Sequence, residues 1–426
     1  MENKLVVVPT PSIVTQHAEE AAFLWILRDA AVRAPHYDLK DLAHLDGRVE
    51  AHIDGLRVAG PTGWELCVEQ LAHEEPGEVF AAAVLALESG DSARIRRVYE
   101  VVGAAPETQR GLVSAFGWVD RAWWRGEVRD LLAAESSFWR RLGLAAAATQ
   151  RMDPGPVLLE SLQAESLMLR ATALRVAGSL GRADLLPALQ AQLNSDDEVV
   201  RFSAAWAATL LGDRGAAPRQ ALAFVDADHP RFAAPALRVA LRALSSSEGQ
   251  QWVGHFARQP QTLRHAVVAC GILGDPVNIP WLLEQMGILE IARVAGESFT
   301  LITGAGLADE DLEGEWPEGF EAGPTEYPED DNVALDADED LSWPEAALIA
   351  AWWTRHQAAF RSGQRYLLGR PLTPEHLQWV LSHGMQRQRV AAALERKLLS
   401  PGEPLFETRA RGSAQQQWLG LPIQGA

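Results

Sequence analysis

Six arginines recur along the middle of the chain at intervals of about thirty residues. They are Arg110, Arg140, Arg170, Arg201, Arg231 and Arg264. Such a row could bind phosphate or carboxylate, because the planar guanidinium donates two parallel hydrogen bonds to either group. It could also tie neighbouring repeats together by pairing with acids in the preceding turns, and Asp197, Asp228 and Glu107 lie at suitable offsets. We favour the structural role for this arginine row.

Two His-x-Asp pairs lie eight residues apart near the N-terminus, His44 with Asp46 and His52 with Asp54. Imidazole and carboxylate are good metal ligands. On a helix, however, eight residues turn the second pair about 80° away from the first. The four groups converge poorly on one ion, so we expect surface and capping roles.

A run of aspartates, Asp336-x-Asp338-x-Asp340, begins like a calcium-binding loop. Leu341 stands where that loop requires glycine, and Ala347 where it requires the bidentate glutamate. We predict no metal site and no cofactor.

A carboxylate among rings could line a catalytic pocket, and Asp120 lies among Trp118, Trp123 and Trp124. Core packing explains these rings better. The chain contains no GxxxxGK[ST], GxGxxG, GxSxG or HExxH motif. We predict no catalytic residue, with an enzyme on a helical-repeat scaffold (a bilin-type lyase or a DNA-base glycosylase) as the alternative.

The elements that carry the arginines repeat as helix pairs. Gly181, Gly212 and Gly274 are separated by 31 and by twice 31 residues, and each follows an alanine-rich helical pattern. Seven such units lie between residues 78 and 285, and neither helix of a unit can bury its apolar stripe alone. The chain is therefore predicted to be an all-α solenoid. The pattern resembles short HEAT-like repeats of the bilin-lyase type, which it matches best at Asp197, Val200, Arg201, Leu211, Gly212 and Asp213.

Composition excludes several classes of protein. The 426 residues are 47% hydrophobic and 22% charged, with 15 tryptophans, as in a soluble globular protein. Two cysteines, Cys67 and Cys270, suit a reducing compartment. The apolar run at residues 5–8 is too short for a secretory signal, and no run of about 18 apolar residues could span a membrane. Residues 61–290 carry 21 arginines and 27 acids, so we expect a cytoplasmic protein that does not bind nucleic acid.

Most of the net charge of −19 belongs to one segment. Fifteen acids lie between Asp309 and Asp340, and no lysine or arginine occurs between Arg293 and Arg355. Uncompensated charge resists collapse, but the interspersed rings suggest docking. We predict an insertion draped over the arginines or offered to a basic partner. Its candidate partner-binding residues are Trp316, Phe320, Tyr327, Asp330, Asp331, Asp336, Asp338, Asp340 and Trp343.

The ends are predicted to be helical for most of their length. Residues 12–33 and 38–56 form two helices that cap the solenoid, and residues 386–399 resume the repeat pattern, while the final stretch is a strand or arm. The predicted domains are an N-terminal cap (1–60), a HEAT-like repeat solenoid (61–293), an acidic insertion (294–350), and C-terminal repeat helices with a tail (351–426).

Three longer segments resemble an uncharacterised bacterial HEAT-repeat family encoded near spike-tip (VgrG) and effector genes of type VI secretion systems. The segments are AEEAAFLWILRDAAVRAPHYDLKDLAHLDGRVEAHIDGLRVAG, FEAGPTEYPEDDNVALDADEDLSWP and RYLLGRPLTPEHL. The resemblance implies a cytoplasmic adaptor or chaperone that helps load an effector or spike protein, and it transfers no catalytic residues. We therefore expect a non-enzymatic scaffold whose partners are proteins.

Overall fold

The computed structural model describes residues 10–323 and 336–423. In this part of the chain there are twenty-two α-helices and one short antiparallel hairpin. The helices of the first half are α1 (Pro11–Ala31), α2 (Leu39–Ala59), α3 (Pro61–Gln70), α4 (Pro76–Ser89), α5 (Ser92–Ala104), α6 (Gln109–Trp118), α7 (Arg121–Leu132), α8 (Ser137–Thr149), α9 (Pro156–Ser161), α10 (Leu167–Leu180) and α11 (Leu186–Gln190). The remaining elements are α12 (Glu198–Leu210), α13 (Ala216–Asp226), α14 (Ala233–Ala243), α15 (Ser246–Phe256), α16 (Leu263–Leu273), α17 (Ile279–Gln285), α18 (Leu289–Thr303), α19 (Ala346–His356), β1 (Tyr366–Leu367), β2 (Arg370–Pro371), α20 (Pro374–His383), α21 (Gln386–Leu399) and α22 (Gly412–Leu419).

The repeat unit is set by local chemistry, as α12 illustrates. The side chain of Asp197 accepts a hydrogen bond from the Val200 N–H at 2.8 Å and caps the N-terminus of the helix. Alanines and Phe202 then fill a helix that is buried on most sides. Gly212 follows with a φ of 107°, which glycine adopts at little cost.

Seven helix pairs follow one another along the chain, from α4 and α5 to α16 and α17. The first helices α4, α6, α8 and α10 pack on one another in turn, and so do the first helices α12, α14 and α16. The prediction of an all-α solenoid of HEAT-like pairs is confirmed. An eighth first helix, α18, packs on α16 and was not predicted.

The chain divides into two compact units. Unit 1 comprises Met1–Leu180, Ser382–Gln386 and Glu407–Ala426, and unit 2 comprises Gly181–Leu381 and Arg387–Phe406. Each unit therefore combines repeat helices with part of the C-terminal region. In the residues that the structure describes, no helix has the length and apolar character needed to cross a bilayer.

Unit 1 joins the N-terminal helices to the end of the chain. Helix α1 packs on α2, α3 and α4, and a Cβ added to Gly77 would lie 2.6 Å from the Ala22 carbonyl oxygen. Helix α22 packs on α2. The prediction of a terminal strand or arm is therefore wrong for this segment. Its inward-facing residues include Gln415 and Gln416, which are buried, so the helix shows no apolar period.

Unit 2 encloses α21. This helix covers the residues predicted to resume the repeat, but Arg389 and Lys397 are only 0% and 2% exposed. Glu395, also buried, forms an ion pair with Arg242 at 3.1 Å and accepts a hydrogen bond from Arg365 at 2.5 Å. Burial of this many charged groups requires compensating partners, so α21 is packed within unit 2.

The two ends of the acidic insertion are joined to each other by backbone hydrogen bonds. Helix α18 ends at Thr303 and is followed by Gly304, with a φ of 77°, and α19 begins at Ala346. Between them, Gly314 donates its N–H to the Trp343 carbonyl at 2.8 Å, and Glu345 donates to the Leu312 carbonyl at 2.9 Å. These bonds close the base of the insertion, so its described part is attached to unit 2 at a defined place.

Candidate partner-binding site

Two arginines of unit 2 hold the insertion. Arg293 on α18 donates two hydrogen bonds to the Asp336 carboxylate, at 2.7 and 2.9 Å, and a third to the Asp338 carbonyl at 2.8 Å. Arg264 on α16 donates a hydrogen bond from each of its terminal nitrogens to the Asp338 carboxylate. Paired, planar contacts of this kind are among the stronger hydrogen bonds in proteins. The aspartates that begin like a calcium loop thus hold guanidinium groups.

The electrostatics of this anchor favour charged aspartate. Partial burial acts to raise the pKa of Asp336, but the hydrogen bonds from Arg293 and from the Asp338 N–H outweigh it and leave the pKa below its usual range. The Arg293 side chain is 5% exposed, so its charge is matched within the fold.

Three rings of the insertion form a cluster, and two of them lie close to Arg293. The ring centroids of Trp316, Phe320 and Trp343 lie 5.3–5.9 Å from one another. The guanidinium of Arg293 lies 5.0 Å from the Trp316 ring centroid and 5.7 Å from that of Trp343. These are distances at which a cation is attracted to an aromatic face. We call the three rings the aromatic patch.

The aromatic patch is partly open to solvent, and acids flank it along the sequence; we call these acids the acidic border. Trp316 is 52% exposed, and its indole N–H donates to the Phe320 carbonyl at 2.8 Å, which fixes the ring. Exposed acidic residues of the insertion surround it in the sequence: Glu313, Glu315, Glu318 and Glu321. A fixed ring with an acidic border suits a polypeptide that offers apolar and basic side chains.

The other candidate residues of the insertion are placed as follows. Asp340 is exposed, with a φ of 66°. Tyr327, Asp330 and Asp331 lie outside the described residues. The structure thus brings together Trp316, Phe320 and Trp343 with the two anchoring aspartates.

The arginine row has a common contact that the sequence did not indicate. Arg140, Arg170 and Arg201 donate to the carbonyls of Ala134, Ala164 and Ser195, each six residues earlier, at 3.1, 2.7 and 2.6 Å. These contacts brace the turn that precedes each first helix. The expected pairing with turn acids is wrong for Asp197, which caps its own helix, and for Asp228, which lies 2.8 Å from His265 Nε2; Glu107, the third acid, is exposed.

The remaining members of the row differ from one another. Arg110 pairs with Asp29 at 3.2 Å, and Arg231 lies 5.2 Å from the ring of its neighbour Phe232. Arg264 anchors the insertion. Arg293 was missed at the sequence level, although it follows Arg264 by 29 residues and so continues the row.

In the two His-x-Asp pairs the aspartates have separate partners, and His44 is exposed. Asp46 accepts from Arg28 at 2.9 Å, and Asp54 accepts from Arg57 at 2.5 Å. His52 Nδ1 lies 3.2 Å from His17 Nδ1. Across the described ranges, no group of three or more histidine, cysteine, aspartate or glutamate side chains could hold a metal ion.

The tryptophans near Asp120 do not form a pocket around it. Asp120 is exposed and Trp124 is 1% exposed, with its ring inside the core. The Trp118 indole donates to Glu50 at 2.6 Å, and Trp123 is 48% exposed on the outside of α7. Two of the three rings are therefore buried away from the exposed carboxylate, and the third lies exposed on α7.

Comparison with protein families agrees with the architecture. A family model described as HEAT repeats matches residues 155–242, the stretch from α9 to α14. This match supports a HEAT-repeat protein, the class that the stacked helix pairs define. Comparison with curated proteins and with solved structures finds no match.

Proposed function

We propose that this chain is a non-enzymatic scaffold that binds a protein partner through the aromatic patch. HEAT repeats generally form scaffolds that mediate protein interactions. The single observation that carries the proposal is the anchoring of the insertion by Arg264 and Arg293, which presents Trp316 half-exposed. A ring held rigidly at the surface can bury area on binding with little loss of conformational freedom.

The partner is a polypeptide with a basic segment and an apolar anchor. The acidic border attracts positive charge and speeds the encounter, and the rings supply the central contact. Arginine is the best single anchor because it pairs with carboxylates and stacks on aromatic rings. This partner chemistry follows from the patch alone.

We further propose that the partner is a spike or effector protein of a type VI secretion system, or an accessory of one. The support is the resemblance of the N-terminal helices, the insertion and the segment around β1 to the family encoded beside such genes. In this role the chain acts in the cytoplasm as an adaptor or chaperone that helps load its partner.

A photo-reactive amino acid placed at position 316 tests the proposal in cells that carry the secretion genes. We expect a covalent adduct with a spike, effector or accessory protein, identified by mass spectrometry. The matched control is the same substitution at Trp123, which is equally exposed on a repeat helix of unit 1. Adducts that are absent from position 316, or equal at both positions, would contradict the assignment.

A further inference from the structure

Unit 1 contains a cleft, whereas the aromatic patch belongs to unit 2. The walls of the cleft are α1, α6, α8 and residues 407–411, and its volume is about 390 Å³. Small side chains on α6 and α8, among them Ser114 and Ala145, leave this space open, and Trp25 and Trp118 line it. Sites for small ligands usually have volumes of about 300–1,000 Å³.

Five arginines and two acids line the cleft. Two of the arginines are matched by acids beside the cleft: Arg28 pairs with Asp46 at 2.9 Å, and Arg411 pairs with Glu50 at 3.0 Å. These pairs fix the wall and add little field to the open space.

Two further arginines share one carboxylate. Arg110 and Arg409 approach the two oxygens of Asp29 at 3.2 and 3.0 Å, and both arginines remain more than half exposed. Arg33 also approaches Asp29, at 3.4 Å, so one negative charge serves three cations, two of which line the cleft. Glu407, the other acid of the lining, accepts from the Arg409 backbone N–H at 3.0 Å.

Arg141 on α8 completes the set. Its guanidinium donates to the side-chain carbonyl of Gln109, a neutral group, and lies 5.3 Å from the Phe138 ring centroid. Among the described residues it forms no ion pair. Partial burial lowers the pKa of Arg141, as expected for a cation removed from water without a counter-charge.

We propose that the cleft binds a small ligand through an oxyanion, a carboxylate or a phosphate, that pairs with Arg141. Arg110 and Arg409 face the same space and add positive charge to the site. Guanidinium groups suit this role because their fork matches the geometry of both oxyanions. The two buried indoles position the cations: Arg110 lies 5.7 Å from the Trp25 ring centroid and Arg411 lies 4.4 Å from that of Trp118.

The site is independent of the partner-binding proposal, since its residues belong to unit 1 and the aromatic patch belongs to unit 2. It also involves the C-terminal segment, because Arg409 closes the mouth of the cleft. Occupancy should therefore slow hydrogen exchange of the backbone at residues 407–411.

Isothermal titration of the full chain tests the inference with two probes, inorganic phosphate and citrate, at constant ionic strength set with sodium chloride. We expect saturable binding of at least one probe with a Kd below about 1 mM. Which probe binds more tightly distinguishes phosphate from carboxylate. Arg141→Gln should weaken binding at least about tenfold, because one charge-assisted pair is lost.

The matched control is Arg129→Gln, which removes an exposed arginine of α7 in the same unit. We expect it to bind as the wild type does. Arg141→Lys should fall between, because it keeps the charge and loses the fork. Absence of saturable binding by both probes, or equal binding by Arg141→Gln and wild type, would overturn the proposal.

Discussion

At the residue scale, arginine braces the repeats through backbone carbonyls. Arg170 donates two hydrogen bonds to the Ala164 carbonyl, at 3.0 and 2.7 Å. We predict that Arg170→Ala lowers the free energy of unfolding by about 1–2 kcal/mol, since a charge-assisted contact is lost and a turn loses its brace. Urea denaturation measures this. Arg129→Ala, at an exposed arginine, should change little, and equal effects of the two substitutions would contradict the interpretation.

The period of the arginines could be read from the sequence, but their acceptors could not. Acidic side chains can be identified directly in the sequence, so Asp197 and Asp228 were expected to be the partners of the arginines. A backbone carbonyl is present at every residue and leaves no sequence signal. Which carbonyl is left unpaired depends on where each turn ends, and this is known only once the turns are seen.

Lys397 is expected to make the free energy of unfolding depend on pH. Burial lowers its pKa to about 8, an effect partly offset by Glu403, and its amine donates to the carbonyls of Pro401 and Glu403 at 2.6 Å each. In the unfolded chain its pKa is near 10.5. Between these values the unfolded chain binds more protons, so this group makes the free energy of unfolding rise with pH.

We therefore expect wild type to gain up to about 2 kcal/mol relative to Lys397→Met between pH 8 and pH 10. Denaturant unfolding at both pH values gives the free energy of unfolding of each protein. The contributions of the other titrating groups cancel in the difference between wild type and Lys397→Met. Below pH 8 the two proteins should show the same pH dependence. Parallel curves across the whole range would show that the lysine keeps its ordinary pKa.

At the scale of elements, the helix-ending glycines of unit 2 also accept the returning chain. Gly274 has a φ of 67°, and its carbonyl accepts from the Tyr366 N–H of β1 at 2.8 Å. A Cβ added there would lie 2.1 Å from the Tyr366 carbonyl oxygen. The glycine is thus required by the backbone conformation and by the close approach of β1.

We predict that Gly274→Ala destabilises the protein by about 2–3 kcal/mol, because both requirements are violated. Gly90→Ala is the matched control: Gly90 has a φ of 63° and open space around its Cβ position. It should cost about 1 kcal/mol from conformation alone. Thermal and urea unfolding compare the two, and an equal loss in both would exclude the close contact as a cause.

The sequence predicts helix ends well because capping and glycine signals are local. It predicts the role of α21 poorly. That helix has the charged, alanine-containing pattern of one more repeat helix, and this pattern does not indicate that Arg389, Glu395 and Lys397 are buried. Glu395 finds its partners in Arg242 and Arg365, 153 and 30 residues away in sequence, so only the tertiary structure reveals that its charge is compensated.

At the scale of the whole molecule, the sequence predicts seven helix pairs with a period of about thirty residues. It does so because each pair carries the same pattern of apolar residues, which must be buried against the neighbouring pairs. The anchoring of the insertion was predictable in outline, since acids and arginines were both abundant. The choice of Arg264 and Arg293 was not, because an insertion of this length can reach many arginines. The cleft of unit 1 depends on a C-terminal segment that packs against N-terminal helices, a long-range contact with no local signal.

The central claim is that the aromatic patch binds a basic polypeptide. The most direct measurement uses the protein that is crosslinked at position 316, once it has been purified. Isothermal titration at two salt concentrations gives its affinity for wild type, Trp316→Ala and Trp123→Ala. We predict that Trp316→Ala weakens binding at least about tenfold, that Trp123→Ala leaves it unchanged, and that salt weakens the wild-type complex. Equal affinities for all three proteins, insensitive to salt, would contradict the account.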